Sequence, residues 1–408
     1  MKKLLLIVVL LSVLAFAGCK AKVEDEYAQG VTDTTVLVGN TAATSGYFAM
    51  VGGPFNDGLE AYFKHYNDLG GVNGRTITLK HYDDGFSGTE GYAYTEQLIE
   101  DDKVFALVGH FGTPTVGGTL ELIREKGIPM VYAATGIADL FREPAVGNER
   151  VVFPVQPIYQ TEGRWMVAKA KELVTGLKKI GVFYTDDEAG QNLLKGVEDR
   201  ATALGITLVK QQTALSSGAI TPAAQVTSMK DANVDLIIAA MNQAPFLQLA
   251  AELAKQNSTK PVVTSYVSSN ISVTTALKGP EGSVGNKFDV YAGAWVDIAG
   301  DNAANFEQFM ADMAAFGKPE LAANAFAMAG WIAGYFFVEG LSRVKGVVTW
   351  DKFVTAMESK PFENPLGGTI DFAKGNRYGT TEMAMLKMNP ASESGLGWDV
   401  AIGLSGIK

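Results

Sequence analysis

Cysteine is almost missing from this chain: 408 residues contain one, Cys19. No internal disulfide framework is therefore possible. Histidine is nearly as scarce. His65, His81 and His110 are the three, and none stands in an H-E-x-x-H or other metal spacing. No G-x-S-x-G elbow, P-loop or G-x-G-x-x-G occurs, so the common signatures of acyl transfer and nucleotide binding are absent. Basic residues are outnumbered, 34 against 44 acidic, for a formal net charge of −10. With no run of more than two basic residues, the composition argues against a nucleic-acid surface. Beyond the first residues no apolar run reads as long enough to span a bilayer.

What is present suits a globular chain of two or three domains, with 47% apolar and 10% aromatic residues. Residues 1–18 read as a signal peptide: a charged Met1-Lys2-Lys3, an apolar core Leu4 to Ala15, then Phe16-Ala17-Gly18 before Cys19. Small residues ahead of a cysteine resemble the bacterial lipobox, although Phe16 stands where Leu is usual. The resemblance makes Cys19 the lipidated mature N-terminus, and the protein exported to periplasm or cell surface and lipid-anchored to a bacterial membrane. A plain secretory signal with an incidental cysteine is the alternative. Residues 19–31 are polar, carry no apolar period and read as a tether.

The rest alternates strand and helix. Thr35–Gly39 is a strand, Asn40–Pro54 a loop, Asn56–Asn67 a helix and Thr76–Tyr82 a strand. The stretch Lys103 to Ile137 organises the first half. Val104–Val108 has the length and composition of a buried parallel strand. Gly109 to Gly112 breaks it, and Thr113-Pro114 opens a helix as N-cap and first position. A helix N-terminus at a strand's carboxyl end suits an anion, and Thr113 can donate its hydroxyl to it. The next strand ends in Ala134-Thr135-Gly136, placing a second loop beside the first. After Pro154 the same rhythm returns, and from Asp301 to Ser359 the pattern is helical. Short strands Thr369–Phe372 and Glu382–Lys387 precede a polar tail.

Asn67-Asp-Leu-Gly-Gly-Val-Asn-Gly-Arg75, Tyr82-Asp-Asp84, Phe105-Ala-Leu-Val-Gly109, Gly112-Thr-Pro-Thr115, Gly127-Ile-Pro129 and Ala134-Thr-Gly136 follow in an order and spacing that resembles one family. It is the extracytoplasmic solute-binding proteins of ABC importers, in their branched-chain amino-acid (Leu/Ile/Val) binding branch. The resemblance implies an α/β fold: two doubly wound parallel-sheet lobes joined by three crossovers, the type I periplasmic binding protein fold. It implies lobe 1 from residues 32–157 plus 293–364 and lobe 2 from 158–292 plus 365–408. It also implies ligand binding in the cleft, delivery to permease subunits, and no cofactor, metal or catalysis. Carried over, Thr113 and Gly112 hold a carboxylate, Ala134 and Thr135 an amine, and Tyr47 and Phe48 supply an aromatic wall. The second-lobe half does not carry over; Tyr266 and Asn242, neutral groups at second-lobe edges, are its candidates. No acid stands in Tyr266-Val-Ser-Ser-Asn270, so the expected ligand is less cationic than a free amino acid: an amide, a carboxylate or an aromatic acid. Free amino acids are the runner-up.

Asp83-Asp84 and Asp186-Asp187-Glu188 are carboxylate clusters, read as solvated loop ends or helix-start charges rather than catalytic acids. His65 and His81 read as structural; His110 is the histidine placed to touch a ligand. The other function weighed is a ligand sensor or regulator on the same fold, such as an amide-responsive binding protein. The lipobox reading has its own test. Cys19→Ser should move the protein from the membrane to the soluble extracytoplasmic fraction, and unchanged membrane fractionation rules the anchor out.

Overall fold

The computed structural model describes residues 26–213, 221–278, 284, 287–297 and 302–407. The expected signal peptide, Cys19 and the start of the tether lie outside the described residues. The tether's last residues are docked, with Ala28 N–H donating to the Val348 carbonyl and Val31 buried.

Two sheets carry the chain. The first contains β1 (Thr35–Ala42), β2 (Thr76–Asp83), β3 (Ala106–Val108), β4 (Met130–Val131) and β5 (Val152–Phe153). Its order is β2-β1-β3-β4-β5, and every pairing is parallel. Helices α1 (Ala49–Asp68), α2 (Gly88–Glu100) and α3 (Thr113–Lys126) connect the first four strands. The run Val104 to Val108 is fully buried, as its unbroken apolar composition requires of a strand covered on both faces.

The second sheet is built from β6 (Lys179–Tyr184), β7 (Thr207–Gln212), β8 (Leu236–Ala240), β9 (Val262–Thr264) and β10 (Val290–Ala294), again parallel. Its helices are α4 (Tyr159–Leu173), α5 (Glu188–Leu204), α6 (Ala223–Asp231), α7 (Gln243–Lys255) and α8 (Ile271–Leu277). The chain then runs through α9 (Ala303–Ala315), α10 (Ala325–Ser342) and α11 (Trp350–Met357), and a ribbon of β11 (Phe362–Glu363) and β12 (Thr369–Ile370). It ends in a hairpin, β13 (Glu382–Met388) and β14 (Trp398–Gly406), joined antiparallel to β10. The order is β14-β13-β10-β9-β8-β6-β7.

Helix α10 returns to the first sheet's side and lies on α1. A Cβ on Gly58 would meet the Ala327 carbonyl oxygen at 2.0 Å, and one on Gly330 would meet that of Phe55 at 1.8 Å. The two backbones touch, and only glycine fits at either point. Eighteen residues long, α10 is apolar enough to cross a membrane by length and composition, yet 67% of it is buried inside the protein. This corrects the expectation that no later run reaches that length: the helix is a core element.

Helix α1 starts seven residues before the expected Asn56, at Ala49, and carries Pro54 inside it. Burial of Phe48, Val51 and Phe55 offsets the hydrogen bond that the proline cannot make. Strands β10 and β14 also lack a clear sequence signal. The expected polar tail is the edge strand β14, whose side chains are mostly exposed and so show no period-2 pattern.

A buried charge ties the last segment to the first sheet. The Arg377 side chain is wholly buried and pairs with Glu358, which also holds Arg150. Arg377 further donates to the Arg150 carbonyl at 2.6 Å and to the Phe372 carbonyl at 3.1 Å, with its guanidinium 4.5 Å from the Phe153 ring centre. Removing one partner of such a pair leaves a charge uncompensated, at a cost of about 3–5 kcal/mol. Glu358→Ala is expected to lose stability on that scale in urea unfolding. A loss under about 1 kcal/mol means that the pair is not what holds this segment.

Candidate ligand-binding cleft

The carboxyl ends of both sheets converge on one cavity of about 900 Å³. Gly112 and Thr113 reach it after β3, Tyr132 and Ala134 after β4, and Gln156 after β5. Asn242 follows β8, Tyr266 and Val267 follow β9, and Trp295 follows β10. Open α/β sheets bind ligands at these strand ends, and here two such edges face one another.

Of the residues expected at the site, Phe48, Gly112, Thr113, Ala134, Asn242 and Tyr266 line the cavity. Tyr47 and Thr135 do not. Tyr47 is 44% exposed on the outer lip, where its hydroxyl accepts from Gln248 across the cleft. The aromatic wall is instead Phe48, stacked on Phe86 with ring centres 3.8 Å apart. Thr135 is buried behind Thr113, the two hydroxyl oxygens 2.8 Å apart. It supports the wall without forming it.

Thr113 is not the cap of its helix. Gly112 occupies that position at φ +97°, with no side-chain cap, and Thr113 is the first helical residue. A side chain on Gly112 would be strained by that φ and would crowd the Phe86 ring at 3.1 Å. The Thr113 hydroxyl is thereby released from capping and turned to Thr135. The first intrahelical bond runs from Val116 N–H to the Gly112 carbonyl, so the N–H groups of Thr113 and Thr115 stand ahead of the ladder.

Behind this edge the polar groups satisfy one another. Asp84 is buried and accepts from the Thr41 hydroxyl at 2.8 Å, the Thr115 hydroxyl at 2.7 Å and Phe86 N–H at 2.9 Å. It is no solvated loop end; burial raises its pKa, against the pull of those donors. His110 is also buried and does not line the cavity, which corrects its placement beside a ligand. Its Nδ1 accepts from Thr41 N–H at 3.4 Å, so the proton sits on Nε2, facing the Thr95 and Thr119 oxygens at 3.2 Å each. Both threonines donate onward to carbonyls. Burial holds His110 neutral, its pKa lowered to about 3. His65 pairs with Asp312 and His81 with Asn40 and Thr44, away from the cavity.

Tyr132, Tyr159, Trp295 and Phe55 line the cavity without having been marked in the sequence. One signal existed only in the backbone: Tyr132 sits at φ +57°, strained for a bulky residue and held there by Phe55 and Trp295 around its ring. Its buried hydroxyl has no partner among the described residues. Tyr159 stacks on Tyr266 with ring centres 5.9 Å apart, its phenol pushed up to about 12 by burial and by the nearby Glu162. Among the described residues no group of three or more His, Cys, Asp or Glu side chains could hold a metal ion.

The second side does contain an acid. Glu162, from α4, is fully buried and accepts from Tyr266 N–H at 2.7 Å and from the Ser265 hydroxyl at 2.8 Å. It does not line the cavity, so it fixes the Tyr266 loop from behind. The Tyr266 hydroxyl accepts from Gln156 at 2.7 Å and donates to the Pro157 carbonyl at 3.2 Å, tying that loop to the segment after β5. Asp187, read from the sequence as a helix-start charge, caps α5 by accepting from Gly190 N–H at 2.8 Å. Lip contacts close the cleft: besides Tyr47 and Gln248, Asn270 donates to Asn324 at 3.2 Å.

A protein-family model described as periplasmic binding protein matches residues 35–394. Among curated proteins, an amino acid binding protein of Pseudomonas aeruginosa is 25% identical over 179 residues, covering 42% of this chain and 44% of that protein. The match thus spans less than half of that relative's length. A branched chain amino acid ABC transporter from Thermus thermophilus, solved with bound valine, superposes with a TM-score of 0.79 at 15% identity, covering 92% of this chain and 97% of that one. An ABC transporter solute binding protein from R. palustris, in complex with benzoate, gives 0.77 at 22% identity, covering 91% and 96%. These likenesses show the fold, which is that of type I periplasmic binding proteins.

Burial lifts the Glu162 carboxyl to about 8, against the pull of its two donors. Between about pH 4.5 and pH 8 the unfolded chain gives up a proton that the folded chain keeps, so stability falls as pH rises through that window. Glu162→Gln keeps an acceptor for Tyr266 N–H and removes the titration. Its melting temperature should gain on the parent's steadily across that range. A gap that is flat with pH means that the carboxyl ionises as it does in water.

Proposed function

The chain belongs to the periplasmic binding protein family, and on that premise we propose that it captures a small solute between its lobes and delivers it to the permease of an ABC importer. The observation that carries the reading is the cavity itself, walled by the strand ends of both sheets and bridged at its lips. A solute touching both walls favours the closed form, and a permease that recognises that form reads occupancy. In this reading residues 32–157 with 293–364 move as one body and 158–292 with the terminal hairpin as the other, while residues 369–377, paired with β11 and buried against Arg150 and Glu358, travel with the first body. The chain works outside the cytoplasm, held at a bacterial membrane through lipid on Cys19.

The solute we infer is less cationic than a free amino acid: a carboxylate or amide with an apolar or aromatic body. Among the described residues lining the cleft, hydroxyls, amides and aromatic rings predominate; Glu162 is turned away from it, and half-buried Asp297, two residues after Trp295, is the one acid on the wall that is not fully exposed. A buried ammonium without a paired charge costs several kcal/mol, whereas an anion can use the α3 N-terminus and the Thr113 hydroxyl. The benzoate named for one structural neighbour is such a carboxylate, while the valine named for the other is a free amino acid, the runner-up class. Micromolar binding needs only about −8 kcal/mol, within reach of such contacts.

Calorimetry with leucine, an aliphatic amide and an aromatic acid tests the solute class: the last two should bind, and tight leucine binding with no response to either overturns it. Thr113→Val should weaken binding by roughly 1–3 kcal/mol. Because Gly112 and not Thr113 is the cap, no cap is lost, but the variant takes away the partner of the buried Thr135 hydroxyl and should lose about 1–3 kcal/mol of stability.

A further inference from the structure

The cavity does not end at the cleft. The same space runs outward past Trp295 and Phe326 to the β13–β14 hairpin, where Leu386, Leu396, Val400 and Leu404 line it. Val400 is 67% exposed and Leu404 39%, large apolar side chains left in water on an edge strand. At about 900 Å³ the whole lies near the top of the range, about 300–1,000 Å³, that clefts for drug-sized ligands occupy. An amino acid leaves most of it empty.

The two ends differ in charge chemistry. Inside stand the α3 N-terminus and the Thr113 hydroxyl. Outside, Glu393 and Asp399 are exposed acids on the rim, and half-buried Asp297 lines the wall two residues after Trp295. No lysine, arginine or histidine is among the described residues that line the cavity. An anionic group is therefore repelled at the mouth and accommodated within. An apolar chain finds aromatic and aliphatic wall from the cleft to the hairpin.

We propose that the solute is an amphipathic monocarboxylate whose head sits at Thr113 and whose apolar tail leaves the cleft past Phe326 to lie against Leu386, Val400 and Leu404. This rests on the solute-binding reading above and narrows it. The hairpin, joined to β10, becomes a specificity element that measures tail length. A tail that covers Val400 and Leu404 also removes from water the apolar surface that the free protein exposes there.

A homologous series tests it on the purified chain: butanoate, hexanoate, octanoate and decanoate by isothermal titration calorimetry. Affinity should rise about fourfold per added methylene while the tail travels along the groove. Val400→Asp with Leu404→Asp changes only exposed side chains, so the fold is retained. It should weaken decanoate at least tenfold and leave butanoate unchanged. Flat affinity along the series, with the shortest acids bound, overturns the tail groove and keeps the solute-binding reading. So does decanoate binding that ignores the double substitution, which reassigns Val400 and Leu404 to contact with another protein. Failure of every acid in the series to bind overturns both.

Discussion

Threonine hydroxyls hold the first sheet's edge of the cleft in shape. Thr113 meets Thr135, Thr41 and Thr115 converge on Asp84, and Thr95 and Thr119 close around His110. Together these contacts join loops and helices that leave β1, β2, β3 and β4, so those exits are fixed relative to one another. A hydroxyl suits this task because it donates and accepts in whichever sense its neighbour needs. The arrangement is also dry, and in a dry setting an unmet polar group is costly. The loops therefore hold one geometry, and the wall they present to the cavity is rigid before any ligand arrives.

The opposite wall uses a different device. There a single carboxyl, Glu162, grips the amide of Tyr266 and the hydroxyl of Ser265. The tyrosine's far end is held by Gln156 and Pro157, on the stretch where the chain passes from one sheet to the other. Tyr266 thus spans from a cleft loop to a connection between lobes. Motion at that connection and the position of the ring are mechanically linked through two hydrogen bonds.

The fold was largely legible because its strands are buried on both faces and its helices carry an apolar stripe; β1, for instance, begins at Thr35 as the sequence pattern marks it. What escaped was decided by tertiary context. Strand β14 shows no alternation because neither face is deeply buried, and α1 runs through Pro54 because three buried residues outweigh one missing bond. At the site, loop positions gave Thr113 and Ala134, since a strand followed by a helix start locates a loop without knowledge of the rest. Trp295 and Tyr159 come from connections whose local sequence resembles any other. Glu162 was invisible for a related reason: it lies more than 100 residues from the loop it grips. Thr113 was found for a partly mistaken reason, as a cap, when it is the glycine before it that ends the strand exit and frees the hydroxyl.

Helix α10 carries a consequence for how such a chain is made. A protein that leaves the cytoplasm by threading unfolded through a membrane channel presents each apolar segment to the lipid before that segment can pack. The composition of α10 is near what a channel would release sideways into the bilayer. Gly330, Gly334 and Gly340 thin out its apolar side chains, and Glu339 adds a charge near its end. On such a route the glycine that lets two helices touch in the finished protein would also hold down the segment's pull toward lipid. A larger apolar residue at Gly330 would then be penalised twice, once in transit and once against the Phe55 carbonyl in the fold.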